Sequence, residues 1–245
     1  MLDHTSVVVI AAAFFVAAVL YASVGHAGAS GYLAVMAFMG VPTPMMRPTA
    51  LVLNLLVASI AAVRFGRAGF FSWGLFWPFA LGSIPLAYFG GAMTLPGHWY
   101  RTLVGLVLWA AAVRLWLNLR IAQATHNPPL AVAVPCGALI GFLSGLTGTG
   151  GGIFLSPLLL FMRWAEVRET GGVSAAFIFV NSVAGLAGNP VSLQHLPIRW
   201  PLWACAAAAG GLIGAELGTR RIGTPMFRRL LGLVLVVAGA KLIFS

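Results

Sequence analysis

Residues 25–31 read Gly-His-Ala-Gly-Ala-Ser-Gly and directly follow the first long apolar segment of the chain. Residues 145–152 read Gly-Leu-Thr-Gly-Thr-Gly-Gly-Gly and follow a later apolar segment, and a shift of 120 positions (145 − 25) superposes three glycines of the two stretches. Glycine costs about 1 kcal/mol relative to alanine inside a helix. Two such interruptions at matching places in two halves of an apolar chain predict a binding site between internal repeats. The superposed pairs are Gly25 with Gly145, Gly28 with Gly148, and Gly31 with Gly151.

The composition indicates a chain that is surrounded by lipid. Hydrophobic residues make up 60% and charged residues 7% of the 245 residues, whereas a soluble domain carries about 25% charged residues. The net charge of +10 comes from basic residues scattered between apolar runs, so they form no patch for nucleic acid. We therefore expect membrane lipid as a partner, and no nucleic acid.

Ten apolar segments predict an all-α membrane protein of about ten transmembrane or partly spanning helices. Backbone polar groups in lipid must find hydrogen-bond partners within their own segment, which favours helices. Two of the segments, 31–46 and 153–163, are short, so the sequence leaves open whether they cross the membrane fully. The segments are 6–24, 31–46, 49–65, 72–95, 101–119, 130–146, 153–163, 172–188, 201–218 and 227–244.

The distribution of arginines favours ten crossings. With ten crossings, the odd-numbered loops hold ten arginines, and the other side holds only Arg47, Arg101 and Arg199. The positive-inside rule then places both termini outside the cytoplasm, in the periplasm. If the two short segments do not cross, the split becomes eight against five. The ten arginines are Arg64, Arg67, Arg114, Arg120, Arg163, Arg168, Arg220, Arg221, Arg228 and Arg229.

Ten crossings divide into two membrane repeats of five, an N-terminal one at 1–122 and a C-terminal one at 123–245. An odd number of crossings per repeat inserts the second repeat upside down, as in the inverted repeats of many secondary transporters. Asn54 in the first half echoes Asn181 in the second half at an offset of 127 (181 − 54). Either an insertion separates the glycine-rich stretch from the asparagine, or Ser59 is the true counterpart.

The predicted helix breaks carry the chemistry of an anion site. A break leaves backbone N–H groups without helical partners, and the helix dipole adds partial positive charge there. Hydroxyl and amide side chains nearby supply uncharged donors, so we predict anion binding; the alternative is that the glycines serve only close helix packing. The predicted substrate-binding residues are Gly25, His26, Gly28, Ser30, Gly31, Asn54, Thr147, Gly148, Thr149, Gly150, Gly151, Asn181 and Ser182.

Several other residues allow two interpretations each. His26 either binds substrate or carries a proton, or it is a loop histidine at an interface. Arg47 is either an anion partner or an interfacial residue. Glu216 either forms an i,i+4 ion pair with Arg220 or relays protons. The glycines spaced by four at 210–218 fit helix packing alone.

Short motifs in both halves carry a family resemblance. They are the paired glycine-rich stretches, the run Pro48-Thr49-Ala50 before Asn54, and the run at 172–176 before Asn181. In these motifs the chain resembles the sulfite exporter TauE/SafE family of membrane permeases.

The resemblance implies a secondary transporter of the bacterial inner membrane that works by alternating access, with or without proton coupling. Its substrate would be a small anion such as sulfite, a sulfonate, sulfoacetate or a related organosulfur compound. It also implies transport without a nucleotide, and the chain has no Walker-type glycine loop. We expect no enzymatic activity, no cofactor and no metal; a homo-oligomer is left open.

Two other functions fit parts of the sequence. A passive anion channel would have the same composition. The run at 28–31, Gly-Ala-Ser-Gly, matches the Gly-x-Ser-Gly pattern of rhomboid-like intramembrane serine proteases. That chemistry needs a histidine within hydrogen-bond reach of Ser30, and a protease does not explain the internal duplication.

Overall fold

The computed structural model describes residues 4–116, 128–220, 235–237 and 239–244. Helices and short connections make up these residues, and no β-strand occurs among them. The all-α prediction is therefore confirmed for this part of the chain. The helices are α1 (His4–Ala22), α2 (Ala29–Phe38), α3 (Thr43–Arg67), α4 (Trp73–Ala92), α5 (Gly97–Trp116), α6 (Leu130–Thr147), α7 (Gly152–Phe161), α8 (Val167–Gly188), the 3₁₀ turn Pro190–His195, α9 (Trp200–Arg220) and α10 (Leu235–Phe244).

Six helices, α1, α3, α4, α6, α8 and α9, are long and apolar enough to cross a membrane. Their outer faces carry large apolar side chains that are exposed in the isolated chain, among them Leu81 at 60% and Leu139 at 62%. Exposing such an apolar surface to water is unfavourable, whereas contact with lipid tails is not. The structure therefore has the surface of a multi-pass membrane protein. The predicted total of ten crossings stays a prediction.

The helices α2 and α7 are too short to cross the hydrocarbon core as helices. Each has ten residues and rises about 15 Å, half of a core about 30 Å thick. The predicted segment 31–46 was too long, because α2 ends at Phe38 and α3 already begins at Thr43. Pro42 and Pro44 explain this start, since proline is tolerated in the first turn of a helix, where N–H groups have no helical partner.

Glycine allows two pairs of helices to pack backbone against backbone. The glycines at these contacts lie on α6 and α9, and a Cβ atom on any of them would overlap a carbonyl oxygen of the opposite segment. The predicted packing role of the glycines at 210–218 is confirmed, and Gly145 has the same role. On α6, Gly137, Gly141 and Gly145 lie against the carbonyl groups of Phe79, Ser83 and Ala87 in α4. On α9, Gly210 and Gly214 lie against those of Phe15 and Val19 in α1, and Gly218 lies against that of Ser23, the residue after α1.

Helices of each half of the chain pack against helices of the other half, in a reciprocal pattern. Helix α4 packs against α6 and α8, just as α9 packs against α1 and α3. Helices α3 and α8 pack against each other in opposite directions, since Leu51 lies beside Gly185 and Phe65 beside Gly171. The predicted repeats at 1–122 and 123–245 stay a prediction, and their boundary lies outside the described residues.

Candidate anion-binding site

Left-handed glycines precede the short helices α2 and α7. Gly28 (φ 103°) is the residue before α2, and Gly151 (φ 80°) is the residue before α7. Residues other than glycine adopt this conformation at a cost of about 1–2 kcal/mol. Two further left-handed glycines, Gly25 and Gly148, follow α1 and α6. Gly25 also lies against the backbone of Gly171 in α8, so the first break contacts the second half of the chain.

The left-handed glycines align the two breaks at an offset of 123 (148 − 25 and 151 − 28) rather than 120. Gly31 and Gly145, which the shift of 120 matched with break glycines, lie inside α2 and α6. In the revised alignment, His26 corresponds to Thr149. The shift of 120 pairs His26 with Leu146 and Ser30 with Gly150, whereas the shift of 123 pairs His26 with Thr149; under either alignment the two breaks are chemically unequal.

The first N–H groups of α2 and α7 precede the hydrogen-bond ladder of each helix. In α2 the ladder begins with the N–H of Tyr32, which donates to the carbonyl of Gly28 at 2.9 Å. In α7 it begins with the N–H of Phe154, which donates to the carbonyl of Gly151 at 3.0 Å. The N–H groups at the helix starts are donors of the kind that hold anions at helix N-termini.

His26 connects the first break to the second half. Its Nε2 lies 3.0 Å from the carbonyl oxygen of Gly152, the first residue of α7, and 2.9 Å from Oγ of Ser156, one turn further along. The Ser156 hydroxyl lies 2.7 Å from that of Ser174 in α8. All three side chains are buried. The chain from His26 to Ser174 therefore joins α7 and α8 to the loop between α1 and α2.

The imidazole of His26 faces a carbonyl oxygen at each nitrogen. Nδ1 lies 3.0 Å from the oxygen of Val24, and Nε2 lies 3.0 Å from that of Gly152. A neutral imidazole has one N–H and can donate to only one of these oxygens, whereas an imidazolium donates to both. When Nε2 carries no proton, it can accept a hydrogen bond from Ser156 instead. The surroundings thus accommodate both charge states.

Asn54 and two threonines surround the second break. Asn54 Nδ2 donates to the carbonyl of Gly148 at 3.5 Å, and a Cβ atom on Gly150 would lie 2.8 Å from that nitrogen. Glycine at position 150 therefore lets the asparagine approach the backbone. Thr147 Oγ1 donates to a carbonyl within α6 and lies 2.9 Å from the hydroxyl of Thr149.

Asn181 and Ser182 lie at the level of Asn54 along the packed helices α3 and α8. Leu51 and Gly185 are neighbours on antiparallel helices, so Asn54 and Ser182 lie at equal distances from that contact in the same direction. Asn54 Oδ1, Asn181 Oδ1 and Ser182 Oγ are buried and have no hydrogen-bond partner among the described residues. Buried polar atoms without partners are rare and costly. The three atoms lie at one level of the α3–α8 contact; the two amide oxygens can accept a hydrogen bond, and the hydroxyl can also donate one.

Ser30 and the amide nitrogen of Asn181 are directed elsewhere. Ser30 Oγ donates to the hydroxyl of Tyr21 at 2.8 Å, within the first half. Asn181 Nδ2 donates to the carbonyl of Phe177 in its own helix at 2.9 Å. Ser30 is therefore bonded to a tyrosine instead of the histidine that a protease nucleophile requires.

A family model described as sulfite exporter TauE/SafE matches residues 10–242. This chain belongs to the TauE/SafE family. The chain is 40% identical to the "Probable membrane transporter protein y4hK" of Sinorhizobium fredii, over 98% of this chain and 99% of the relative. No solved structure matches this chain.

Two more distant relatives match only part of the TauE/SafE chain. It is 27% identical to the "Probable membrane transporter protein YunE" of Bacillus subtilis, over 49% of this chain and 44% of the relative. It is 30% identical to the "Probable membrane transporter protein MJ0441" of Methanocaldococcus jannaschii, over 42% and 40%. The predicted family is confirmed, and the family with these relatives identifies a multi-pass membrane transporter.

Arg47 of the TauE/SafE chain is buried, and its two interpretations, an anion partner or an interfacial residue, both stay predictions. It is only 8% exposed. Its guanidinium donates to the carbonyl oxygens of Met93, at 2.8 Å, and Gly91, both at the end of α4. The last carbonyl groups of a helix have no helical donors and carry partial negative charge, which favours this cation. The arginine also touches the second break, because a Cβ atom on Gly148 would lie 3.1 Å from Arg47 Cγ.

Glu216 pairs with two arginines. Arg220 Nε lies 2.6 Å from Oε1, which confirms the predicted i,i+4 ion pair. Arg64 Nη1 lies 2.8 Å from Oε2 and joins the end of α3 to the end of α9. In the TauE/SafE chain this carboxylate therefore holds two helices together on the face opposite to Arg47.

Proposed function

We propose that this protein is a secondary transporter that moves a small anion across the bacterial inner membrane by alternating access. The most suitable substrates are sulfite, a sulfonate, sulfoacetate or a related organosulfur compound, in line with the sulfite exporters for which the family is named. The observation that carries the proposal is the contact of His26 with Gly152 and Ser156. It brings two broken helices, one from each half, together in the interior of the protein.

The reciprocal helix contacts between the two halves support the inverted repeat that we propose for alternating access. Helix α4 packs against α6 as α9 packs against α1, and α3 packs against α8. A two-fold relation between the halves produces this kind of reciprocal pairing. Inverted repeats place the substrate site at their interface, near the middle of the membrane. The two breaks, with Asn54 and Ser182, lie at such an interface.

The candidate site has donors for an anion and is away from acidic side chains. The first N–H groups of α2 and α7 are donors, and the buried hydroxyl of Ser182 has no partner among the described residues. Among the described residues, Glu166 and Glu169 lie at the start of α8, and Glu216 is paired with arginines. None of these carboxylates is among the hydrogen-bond partners of His26 or Asn54 given above.

His26 provides a route for proton coupling. Because its surroundings accommodate both charge states, the imidazolium can balance the charge of a bound anion. Proton loss leaves Nε2 as an acceptor for the Ser156 hydroxyl, which can rotate between His26 and Ser174. A proton and an anion bound next to each other stabilise each other, which is the coupling that a symporter needs.

Reconstitution in proteoliposomes tests the proposed function. When the lumen is made alkaline, we expect the concentration of radiolabelled sulfite or sulfoacetate inside the vesicles to rise above the concentration outside. Strictly downhill flux of these anions would instead identify a channel, and no flux of any small sulfur anion would overturn the proposal. Binding is measured independently by thermal unfolding of the purified protein with sulfite, thiosulfate, sulfoacetate, taurine, phosphonates and carboxylates. In the same binding assay, Asn54→Asp places a carboxylate at the candidate site and should weaken anion binding. Gln194→Glu makes the same amide-to-acid change at an exposed position and is the matched control.

A further inference from the structure

A cavity of about 440 Å³ opens on the face of the protein where α3 begins and α4 ends. Its wall is formed by the start of α3, the connection between α4 and α5, the start of α5, and the connection between α8 and α9. Arg47, Tyr100, Asn189, Ser192 and His195 supply polar groups to the wall. The cavity is separate from the breaks, which lie deeper.

We propose that this cavity is an outer binding site where a small sulfur oxyanion is held before it reaches the breaks. The proposal rests on the transporter function proposed above. The cavity lies on the face that carries Arg47, Arg101 and Arg199, the side with few arginines. The positive-inside rule assigns this face to the periplasm.

The charge of the cavity wall suits an anion. Among the described residues that line the cavity, Arg47 is the only Lys or Arg, and none is Asp or Glu. The guanidinium has five N–H donors, and its bonds to the end of α4 use one donor of Nη1 and one of Nη2. These bonds hold the arginine in place, so that binding an anion would require little further ordering. The starts of α3 and α5 also line the cavity, and helix N-termini carry partial positive charge.

Two residues of the cavity wall, Arg47 and Tyr100, also contact the second break. The Tyr100 hydroxyl donates to the carbonyl of Thr147 at 3.1 Å. Arg47 lies against Gly148, whose carbonyl accepts from Asn54. An anion released by Arg47 would therefore pass a single layer of residues before it reaches Asn54. This short path is what an outer site in series with a central site requires.

Cysteine modification tests the charge selectivity of the cavity in the full-length protein. The native cysteines, Cys136 and the exposed Cys205, are replaced by alanine. Ser192→Cys then places a thiol in the cavity wall, and Ile198→Cys places one nearby, at a side chain that is 93% exposed and outside the cavity. Each thiol is treated with an anionic reagent, sulfonatoethyl methanethiosulfonate, and with a cationic one, trimethylammonioethyl methanethiosulfonate.

The ratio of the anionic to the cationic rate, divided by the same ratio for Ile198→Cys, measures the selectivity. We expect Ser192→Cys to give about tenfold or more in favour of the anionic reagent, and sulfoacetate to slow its modification. Arg47→Lys should retain the preference because it retains the charge, and Arg47→Gln should abolish it. A normalised ratio near one for Ser192→Cys, without protection by sulfoacetate, would overturn the proposal. Since this measurement uses native Arg47, it is decisive even if Arg47→Gln does not fold.

Transport assays separate a failure of this inference from a failure of the proposed function. Selective modification without transport of any sulfur anion would leave the outer site standing and reject the transporter. Concentrative transport with no selectivity at Ser192→Cys would reject the outer site and leave the transporter standing.

Discussion

His26 Nε2 lies 2.9 Å from the hydroxyl oxygen of Ser156, so residues 130 positions apart share a buried hydrogen bond. The bond connects the break that follows α1 to the short helix that follows the second break. A polar chain in an apolar interior is stable only while every member keeps its partner. Loss of either partner would leave a buried polar group unsatisfied, at a cost of about 1–3 kcal/mol.

Replacing His26 by glutamine tests its role as the proton carrier. His26→Gln keeps a hydrogen-bonding side chain but removes the group that changes charge near neutral pH. We expect uptake driven by a pH gradient to fall to the rate measured without a gradient, while exchange of labelled anion continues. His98→Gln, at an exposed position in α5, should leave gradient-driven uptake unchanged. Undiminished coupling in His26→Gln would assign the proton route to another residue.

An acidic residue at position 54 tests the anion site. Asn54→Asp places a carboxylate beside the second break at nearly constant volume. Two like charges about 5 Å apart repel by about 3 kcal/mol at an effective dielectric constant near 20, which corresponds to a Kd for sulfoacetate raised about a hundredfold. Calorimetric titration measures the Kd, and a value close to that of Gln194→Glu would contradict an anion site there.

The left-handed glycine before α7 can be compared with one outside the site. A Cβ atom on Gly151 would lie 2.9 Å from both Ile140 and Phe177, whereas one on Gly40 (φ 70°) would meet nothing within 4 Å. Gly40→Ala should lower the free energy of unfolding by about 1–2 kcal/mol through backbone strain alone. Gly151→Ala should lower it by about 1–3 kcal/mol more. Chemical unfolding in detergent measures both, and equal losses would show that position 151 has no special packing.

The backbone contact between α4 and α6 predicts intolerance to a single methyl group. A Cβ atom on Gly141 would overlap the carbonyl oxygen of Ser83, whereas one on Gly66 in α3 meets nothing within 4 Å. Gly141→Ala should lower the free energy of unfolding by about 1–3 kcal/mol. Gly66→Ala should leave it unchanged or raise it by up to about 1 kcal/mol, since alanine is the better helix former. The same unfolding assay distinguishes them, and a neutral Gly141→Ala would argue against the tight contact.

Glu216 should be dispensable for proton coupling. Its side chain is 33% exposed, and those of Arg64 and Arg220 are 46% and 77% exposed, so each ion pair contributes about 1 kcal/mol or less. We expect Glu216→Gln to leave gradient-driven uptake intact and to lower the thermal midpoint only slightly. If Glu216→Gln instead abolished coupling in the way expected for His26→Gln, Glu216 would be a member of the proton route.

The breaks could be predicted from the sequence, but their alignment could not. A run of glycines shows that a helix is interrupted without showing which glycine adopts the left-handed conformation. Gly31 and Gly145 resemble break glycines in the sequence, yet both lie within helices and serve packing. Packing and turn formation require the same residue type for different reasons, and this produced the three-residue error.

Ser156, Ser174 and the surroundings of Arg47 were outside the reach of sequence reasoning. Each serine is a single hydroxyl in an otherwise apolar run, and its partners come from distant segments. A lone hydroxyl in a membrane helix is a weak signal, because it can bond to its own helix backbone. Arg47 was recognised as unusual, but only the fold shows that its guanidinium binds the end of α4.

The glycine contacts of α4 with α6 and of α1 with α9 each join a helix of one sequence half to a helix of the other. With main chains touching over several turns, neither pair can slide or rotate without steric overlap. The bodies that rock during transport should therefore be two composite units, each built from both repeats, instead of the repeats themselves. The first break travels with α1 and the second with α6. In the proposed alternating-access cycle, the hydrogen bond between His26 and Ser156 would cross the seam between these units and would open and re-form once in each cycle.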